Sequence, residues 1–529
     1  MTPVGQASWP VRLSRSGGAI GALLWAVLLL AIARLWLMPL GSSFWVDEMV
    51  TAFVVHHPAD PSLAVAPQVP ASLYYWLPRA AERWLGFSEI SYRLPSVLAM
   101  ALALWILAAL AARLIHPRAG WFAVFACLAM RGIDYHAADA RPYALGIAVS
   151  AAAVWFLVRF LDRGVLRDGL LFVLAAGLLW RVHLVYWPFY GVFLVYAAAR
   201  VASDSRQFWP KVLLVFAMLA VVLLPVARLA LALSGQAAAH VIVKPPTWRD
   251  ALHLARWNLV LIVGVAAWLW RTVWQKLSQA KDLFHRPSQP APAIARADTL
   301  LIFAWWLAHP LALYGFSLAT GNSLFLNRYL SLFLPGVALS ATWVAARFLP
   351  ETSWRPAAAL LGIGAILVLG QWTIAWPPHE KSDWRGAVRM LNRPSDAAFT
   401  PVVCPSPFIE ARWPVWRPDY PLPGFLYAHL PIYPLRGPIV LFPFESSPQA
   451  EDYAAGLLAG PLAAAHRFAI YGGAGNARWW RKWFAARPEL AAWQNRLTRF
   501  GDVYVVVFQD GSHSQMAVTQ GSRFFQAVR

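Results

Sequence analysis

Two adjacent carboxylates, Asp47 and Glu48, are the first residues of the chain whose type and placement suit catalysis. They follow a long apolar run, within Phe44-Trp-Val-Asp-Glu-Met-Val-Thr-Ala-Phe53, and aromatic or apolar residues flank them on both sides. Carboxylates at the edge of the hydrocarbon are costly unless they are paired or used. A helix N-terminus explains them as well, because acidic side chains there favour the helix dipole. Both interpretations stay open, since a capping position also holds a carboxylate rigidly.

A second group lies in Asp134-Tyr-His-Ala-Ala-Asp-Ala-Arg-Pro-Tyr143, between two apolar runs. A guanidinium offers a planar donor fork that fits phosphate, so Arg141 beside Asp139 predicts an anion site. An Arg–Asp pair that only anchors a helix explains the pattern equally well. His183 and Arg328 stand at the ends of other apolar runs. A lone His there is usually structural, and Arg328 is a second candidate for binding phosphate.

The first predicted outer loop, 41–88, contains the pair His56-His57 and the amphipathic segment Leu73–Trp84, which includes Tyr74 and Tyr75. An amphipathic segment rich in Tyr, Trp and Arg suits a membrane interface. Adjacent side chains on a helix point apart, so the His pair is not predicted to bind a metal.

The elements that must position these residues are membrane helices. Of 529 residues, 59% are hydrophobic and 13% are charged, against roughly 25% charged in soluble chains. A membrane-spanning helix needs about 20 mostly apolar residues. About eleven runs meet this need, and the first is too long for a signal-peptide core, so it is predicted to be an uncleaved span. The runs are 18–40, 92–115, 119–133, 142–161, 168–182, 184–202, 210–233, 257–274, 298–319, 329–349 and 356–376, of which the third and fifth are short.

The net charge of +20 lies largely in short loops, where it orients a membrane protein and contacts lipid phosphate. No recognition motif accompanies it, so nucleic-acid binding is not predicted. A cytoplasmic N-terminus places 17 Lys and Arg in inner loops and 11 in outer ones, and it puts the C-terminus outside. The two cysteines, Cys127 and Cys404, are far apart, which argues against a disulfide framework or a Cys-based metal site.

The amino-acid composition changes at about Pro377, where apolar runs shorten and Pro becomes frequent. We therefore divide the chain into a membrane domain, 1–376, and a soluble extracytoplasmic domain, 377–529. Strand-like runs alternate with helix-like runs there, which predicts a small α/β domain with a largely parallel sheet. The strand-like runs are 397–403, 438–442, 467–471 and 502–508, and the helix-like runs are 383–392, 451–458 and 476–497. Tyr471-Gly-Gly-Ala-Gly475 lacks the full nucleotide-loop spacing and is predicted to be a strand-to-helix turn.

Taken together, these segments resemble the protein O-mannosyltransferase-like membrane glycosyltransferases, which include the bacterial aminoarabinose–lipid A transferases and use polyprenyl-phosphate sugars. The resemblance rests on motifs in the same order across nearly the whole chain. They are Trp45-Val-Asp-Glu, Leu73-Tyr-Tyr-Trp-Leu, Tyr92-Arg-Leu-Pro-Ser-Val, Asp139-Ala-Arg-Pro-Tyr-Ala-Leu, Val182-His-Leu, Asn327-Arg-Tyr-Leu with Leu334-Pro-Gly, and Lys381-Ser-Asp-Trp-Arg-Gly. Two departures stand out: the family's His-Pro-Pro is Pro70-Ala-Ser72 here, and its Glu is Asp139.

The resemblance implies a polytopic α-helical membrane protein of the C-type glycosyltransferase fold, with a C-terminal α/β extracytoplasmic domain, in the bacterial inner membrane. It implies transfer of a sugar from a polyprenyl-phosphate donor to a lipid, glycan or protein acceptor at the outer face. A carboxylate takes the proton of the acceptor hydroxyl, and Asp47 is our candidate. Glu48 orients the acceptor, supports Asp47 or helps to hold a divalent cation, the one cofactor left open.

The same resemblance assigns the donor phosphate to Arg141 first and Arg328 second, with His183 as a further donor. Asp139, Tyr74, Tyr75 and Tyr143 support the site. Two rival interpretations stay open: a flippase or transporter of lipid-linked sugars, and a non-catalytic relative that keeps the fold. A transporter would place ionisable residues near the bilayer midplane, whereas most of those here lie at the ends of the apolar runs.

Overall fold

The computed structural model describes residues 18–203, 209–237, 244–279, 294–321, 323–370, 377–394 and 397–511. The chain forms two compact units. The first, the helical unit, comprises 1–40, 72–81 and 93–377. The second, the sheet unit, comprises 41–71, 82–92 and 378–529. Most of the predicted outer loop 41–88 therefore belongs to the same unit as the C-terminal part of the chain.

Helices make up most of the chain. The α-helices of the described residues are, in chain order, α1 Ala19–Ala31, α2 Val46–His56, α3 Trp76–Leu85, α4 Glu89–Leu114, α5 Gly120–Leu128, α6 Arg131–Ala137, α7 Tyr143–Arg163, α8 Leu166–Val182, α9 Tyr190–Ser203, α10 Trp209–Ala237, α11 Trp248–Leu254, α12 Trp257–Gln279, α13 Arg296–Thr320, α14 Leu334–Ala345, α15 Trp354–Leu369, α16 Trp384–Leu391, α17 His429–Ile432, α18 Pro448–Leu458, α19 Pro461–Ala464 and α20 Ala474–Ala485.

Within the described residues, seven helical segments are long and apolar enough to cross a membrane, and an eighth is formed if α11 and α12, bent by 49°, make one span. The predicted polytopic helical membrane protein is thus confirmed, whereas the count of eleven is not. The three other predicted runs are helical but short: α5, α8 and the segment Ser331–Ala345. The run 119–133 is broken, because α5 ends at Leu128 and α6 begins at Arg131. Residues 371–376 of the last predicted run lie outside the described part.

The helical unit is tied together by ion pairs at one end of α7. Arg113 and Arg200 both donate to Asp162 near the C-terminal end of α7, at 2.8–2.9 Å, and Tyr196 donates to Asp298 at 3.1 Å. These contacts join α4, α7, α9 and α13. Because α7 has 21 residues, its other end lies about 30 Å away. The chain then reverses into α8 through Gly164, whose φ of 64° is open to glycine at low cost.

The sheet unit is built on five strands: β1 Val402–Pro405, β2 Ile439–Phe442, β3 Arg467–Gly473, β4 Trp493–Phe500 and β5 Val503–Asp510. Their order is β2-β1-β3-β5-β4. Strand β1 lies between β2 and β3 and runs parallel to both, whereas β5 runs antiparallel to β3 and β4. The α/β domain is confirmed, but the sheet is mixed rather than largely parallel.

The sheet was wrongly predicted to be largely parallel because one strand, β4, was not recognised in the sequence. The run 476–497 was expected to be a helix, yet α20 ends at Ala485 and β4 begins at Trp493. The strand lies at the sheet edge and carries polar residues on its exposed face, so it has no continuous apolar run. The turn Gly501-Asp502 joins β4 to β5 and is a two-residue hairpin signal that sequence reasoning overlooked. By contrast, Tyr471-Gly-Gly-Ala-Gly475 is the predicted strand-to-helix turn, because β3 ends at Gly473 and α20 begins at Ala474.

Candidate active site

The two adjacent carboxylates lie in the first turn of α2, in the sheet unit. Trp45 is the N-cap residue, and its backbone N–H donates to the Glu48 carboxylate at 3.2 Å. A side chain at the third helical position reaches back to the N-cap in this way because it satisfies one of the unpaired N–H groups of a helix start. The capping role that the sequence left open therefore falls to Glu48, which is fully buried.

Asp47 occupies the second helical position and is only partly buried. Its neighbour Glu48 has one further feature: a carboxylate oxygen and a ring nitrogen of His379 lie within 4.8 Å of each other. Carboxylate and imidazole are both ligands that zinc accepts in proteins. These two side chains are the pair that suits the divalent cation left open by the sequence. A catalytic zinc site usually has three protein ligands, so the pair alone makes an incomplete site.

In the helical unit, His183 stands directly after α8 and begins the 3-10 turn Leu184–Phe189. Its Nδ1 accepts the backbone N–H of Val185 at 3.2 Å. The proton of the neutral ring therefore sits on Nε2, which is left as a hydrogen-bond donor. Three aromatic rings surround the imidazole: Tyr143 at 6.0 Å, Tyr186 at 5.3 Å and Tyr329 at 5.3 Å between ring centroids.

Two arginines, Arg141 and Arg328, lie near the imidazole of His183. Burial lowers the pKa of His183 to about 3, and the positive charges of Arg141 and Arg328 lower it further. Both guanidinium groups thus lie close enough to act on the imidazole, although 42 and 145 residues of sequence separate them from it. Arg328 also lies over the ring of Tyr329, 5.4 Å from its centroid. We call Arg141, His183 and Arg328 the basic cluster.

The motif that supplies Arg141 also supplies the packing behind His183. Asp139 is fully buried between α6 and α7, and Tyr143 opens α7 and is buried. One turn later stands Gly146. A Cβ there would lie 2.8 Å from the hydroxyl oxygen of Tyr186 and closer still to its Cε2. Only glycine lets the ring of Tyr186 lie against α7 and face His183.

The segment that departs from the family pattern also touches this region. Ser72 donates to the backbone carbonyl of Val182 at 2.6 Å and accepts the N–H of Tyr74 at 3.2 Å. It thereby caps the 3-10 turn Leu73–Tyr75 and ties it to the residue before His183. Tyr74 and Tyr75 are both buried, and their supporting role stays a prediction.

The structure therefore gathers Arg141, His183, Arg328 and Tyr143 in the helical unit, whereas Asp47 and Glu48 belong to the sheet unit. Sequence reasoning overlooked Tyr186, Tyr329 and Ser72. The signal for Tyr186 was Gly146, a glycine inside an otherwise apolar helix. The chemistry available to the basic cluster is the binding of an anion, since two positively charged side chains lie near a neutral N–H donor.

A family model matches a segment that lies mostly in the helical unit. Residues 69–227 match the family model described as dolichyl-phosphate-mannose-protein mannosyltransferase. This segment includes Arg141 and His183. No curated protein sequence matches the chain.

Two solved structures have a similar fold. ArnT from Cupriavidus metallidurans in the apo state superposes with a TM-score of 0.55 at 13% identity, over 93% of this chain and 98% of that one. The same protein bound to undecaprenyl phosphate gives a TM-score of 0.52 at the same identity and coverage. Together with the family model, they confirm the resemblance to membrane glycosyltransferases of the C-type fold, which was predicted from the ordered motifs.

Proposed function

We propose that this membrane protein of the C-type glycosyltransferase fold transfers a sugar from a polyprenyl-phosphate carrier to an acceptor hydroxyl at the outer face of the bacterial inner membrane. The observation that carries the proposal is the basic cluster. The positive charges of Arg141 and Arg328 lie near the imidazole of His183, at the end of membrane helices. This imidazole is neutral and carries its N–H on Nε2. The similar structure of ArnT bound to undecaprenyl phosphate supports a lipid phosphate as the anion.

The proposed reaction is a single displacement. The acceptor hydroxyl loses its proton to Asp47, and its oxygen attacks the anomeric carbon of the sugar. The bond from that carbon to the phosphate oxygen breaks, and polyprenyl phosphate leaves with the electron pair. Since one displacement occurs, the anomeric configuration inverts. A well-placed carboxylate base contributes roughly 10²–10⁴-fold.

Arg141, Arg328 and His183 stabilise the charge that develops on the departing phosphate. Preorganised donors serve best where charge develops, and removal of one such donor costs about 10²–10³-fold in kcat. A neutral His183 suits this role, because it donates through Nε2 without adding a third positive charge. Asp47 rather than Glu48 is the base, because Glu48 is fully buried and occupied in capping α2. Where a divalent cation binds, Glu48 and His379 would hold it and add positive charge near the reacting groups.

The test starts from a strain that lacks the gene, whose membrane lipids we expect to accumulate a polyprenyl-phosphate sugar. That lipid, isolated from the strain, is the donor for purified protein in vesicles of the same strain's lipids, which supply the acceptor. Release of free polyprenyl phosphate measures transfer. We expect Asp47→Asn and Arg141→Gln to lower the rate at least about 10²-fold. Arg249→Gln, at an exposed arginine, serves as the matched control and should keep full activity.

Full activity of folded Asp47→Asn would show that another group is the base. Accumulation of no lipid-linked sugar in the deletion strain, or movement of the donor across vesicles without release of polyprenyl phosphate, would favour a flippase over a transferase.

A further inference from the structure

We propose that Glu89, Arg385 and Tyr433 position the catalytic carboxylate by clamping Gly41–Phe44, the four residues that lead into Trp45 and α2. This inference rests on the proposed function of Asp47. Every residue involved belongs to the sheet unit, so the argument concerns one compact body. We call these three side chains the loop clamp.

Arg385 makes three of the contacts. Its Nη2 donates to the carbonyl oxygen of Gly41 at 2.7 Å, and its Nη1 donates to Glu89 at 3.0 Å. Its backbone N–H donates to the hydroxyl of Ser43 at 3.2 Å. A planar guanidinium can hold two acceptors in fixed directions at once, which an ammonium group cannot do with the same geometry. Arg385 lies in the first turn of α16, in the motif Lys381-Ser-Asp-Trp-Arg-Gly.

Tyr433 completes the clamp from a different part of the chain. Its hydroxyl donates to Glu89 at 2.9 Å and accepts the backbone N–H of Phe44 at 2.9 Å. The Ser43 hydroxyl lies 3.3 Å from the same oxygen. Ser43, Phe44 and Tyr433 are all buried, so water does not readily replace these hydrogen bonds.

Aromatic packing also holds the segment that the loop clamp contacts. The ring of Phe44 packs against Phe87 at 6.2 Å and Tyr92 at 5.7 Å between centroids, both in the stretch that contains Glu89. Phe44 itself is fully buried. The backbone just before α2 is therefore fixed by polar contacts on one side and by packing on the other.

The consequence concerns Asp47, which lies three residues beyond the clamped Phe44. A short segment held at three of its four residues, Gly41, Ser43 and Phe44, leaves little freedom to the first turn of the helix that follows. Orientation of a catalytic group is a large part of catalysis, and a misplacement of about 1 Å costs about 10²-fold. The residues of the loop clamp are thus positioning residues that act through Asp47 and not on substrate.

The first test compares variants in the donor-release assay described above. We expect Tyr433→Phe, which removes the hydroxyl's hydrogen bonds to Glu89, Phe44 and Ser43, to lower kcat about 10–100-fold while KM for the donor changes less than about three-fold. Arg385→Lys should lose as much, because it keeps the charge but not the two-pronged geometry. Arg412→Gln is the control, since Arg412 forms an exposed ion pair with Glu445 at 2.7 Å in the same unit and should leave kcat unchanged.

A double-mutant cycle separates positioning from general stability. If Tyr433 acts through Asp47, Tyr433→Phe should cause no further loss in an Asp47→Asn background, so the two effects are strongly non-additive. Equal losses in both backgrounds, or full kcat of Tyr433→Phe beside a strongly slowed Asp47→Asn, would overturn the clamp and leave the base assignment intact. An active Asp47→Asn would instead overturn the assignment of Asp47 as the base, whereas absence of donor release from the wild-type protein would overturn the proposed function. Should Tyr433→Phe fail to fold, Ser43→Ala tests the same clamp with a smaller change.

Discussion

The packing behind His183 makes a sharp prediction about Gly146. A Cβ there would lie 2.9 Å from Cζ of Tyr186, whereas ordinary contact begins at 3.4 Å, so the ring must retreat by at least 0.5 Å. Tyr186 is fully buried and its hydroxyl lies 3.3 Å from that of Ser331, which limits where it can go. We expect Gly146→Ala to disturb the imidazole that faces this ring.

The magnitude follows from two opposed terms. Overpacking a filled interior costs about 1–3 kcal/mol. Alanine in place of a mid-helix glycine gains about 1 kcal/mol of helix propensity. The net effect on unfolding free energy is therefore a loss of about 0–2 kcal/mol. Activity should suffer more, because the displaced ring moves His183, and we expect kcat/KM for the donor to fall about 10-fold or more.

The measurement is the donor-release assay together with thermal unfolding of the purified protein. Gly364→Ala is the matched control: Gly364 also lies inside a membrane helix, α15, and a Cβ there would meet nothing within 4 Å. It should keep full activity and gain slightly in stability. Tyr186→Phe should not rescue Gly146→Ala, because the clash is mainly with the ring. Wild-type activity of Gly146→Ala would refute the placement of Tyr186 behind His183.

Three further predictions concern the helical unit. His183→Leu should lower kcat/KM about 10²-fold without changing the shape of the rate profile between pH 5 and 8, because the pKa of His183 is lowered to about 3 and the ring stays neutral in that range. In the unfolded chain His183 takes up a proton near pH 6.5, whereas in the folded protein it stays neutral down to about pH 3. The free energy of unfolding should therefore fall as the pH drops from about 6.5 towards 3, because protonation favours the unfolded chain. His183→Leu should lack this pH dependence in unfolding experiments. Ser72→Ala, which removes the cap of Leu73–Tyr75 and the 2.6 Å bond to Val182, should lower the unfolding free energy by about 0.5–2 kcal/mol, measured by thermal unfolding. Burial raises the pKa of Asp134, which accepts from Trp36 at 2.9 Å; Asp134→Asn should therefore retain stability at pH 8, whereas Trp36→Phe should cost about 1–3 kcal/mol.

The sequence predicted those parts of the fold that depend on the pattern of neighbouring residues along the chain. Apolar runs located the membrane helices, and a strand followed by glycines located the turn at Tyr471–Gly475. It failed where the signal depends on neighbours in space. The edge strand Trp493–Phe500 has one exposed polar face, and its pattern alone does not distinguish it from the end of a helix.

The candidate site shows the same division. Arg141, His183 and Arg328 were identified singly, because each is a polar residue at the end of an apolar run. Only the folded chain shows that the charges of Arg141 and Arg328 lie near His183, because sequence separation does not reveal which helix ends meet. Gly146 indicates a close approach to α7 and the family motif marks Ser72 as a departure, but neither signal names a partner, so only the structure shows the contacts of Tyr186 and Ser72.

The adjacency of Asp47 and Glu48 posed the hardest question for sequence reasoning, because a helix cap and a catalytic carboxylate have the same residue types. The structure assigns the cap to Glu48 by helix geometry, and Asp47 keeps the proposed catalytic role. A side chain at the third position of a helix can reach back to the N-cap, and Glu48 does so. The side chain one residue earlier points about 100° away around the helix axis, since 3.6 residues make a turn. Glu48 therefore fixes the helix start while Asp47 keeps a different direction. It follows that Glu48→Gln, which retains an acceptor for Trp45, should keep far more activity than Glu48→Ala, whereas Asp47→Asn should lose at least about 10²-fold although the helix is intact. Equal loss in Glu48→Gln and Asp47→Asn would mean that the charge of Glu48 also takes part in the reaction.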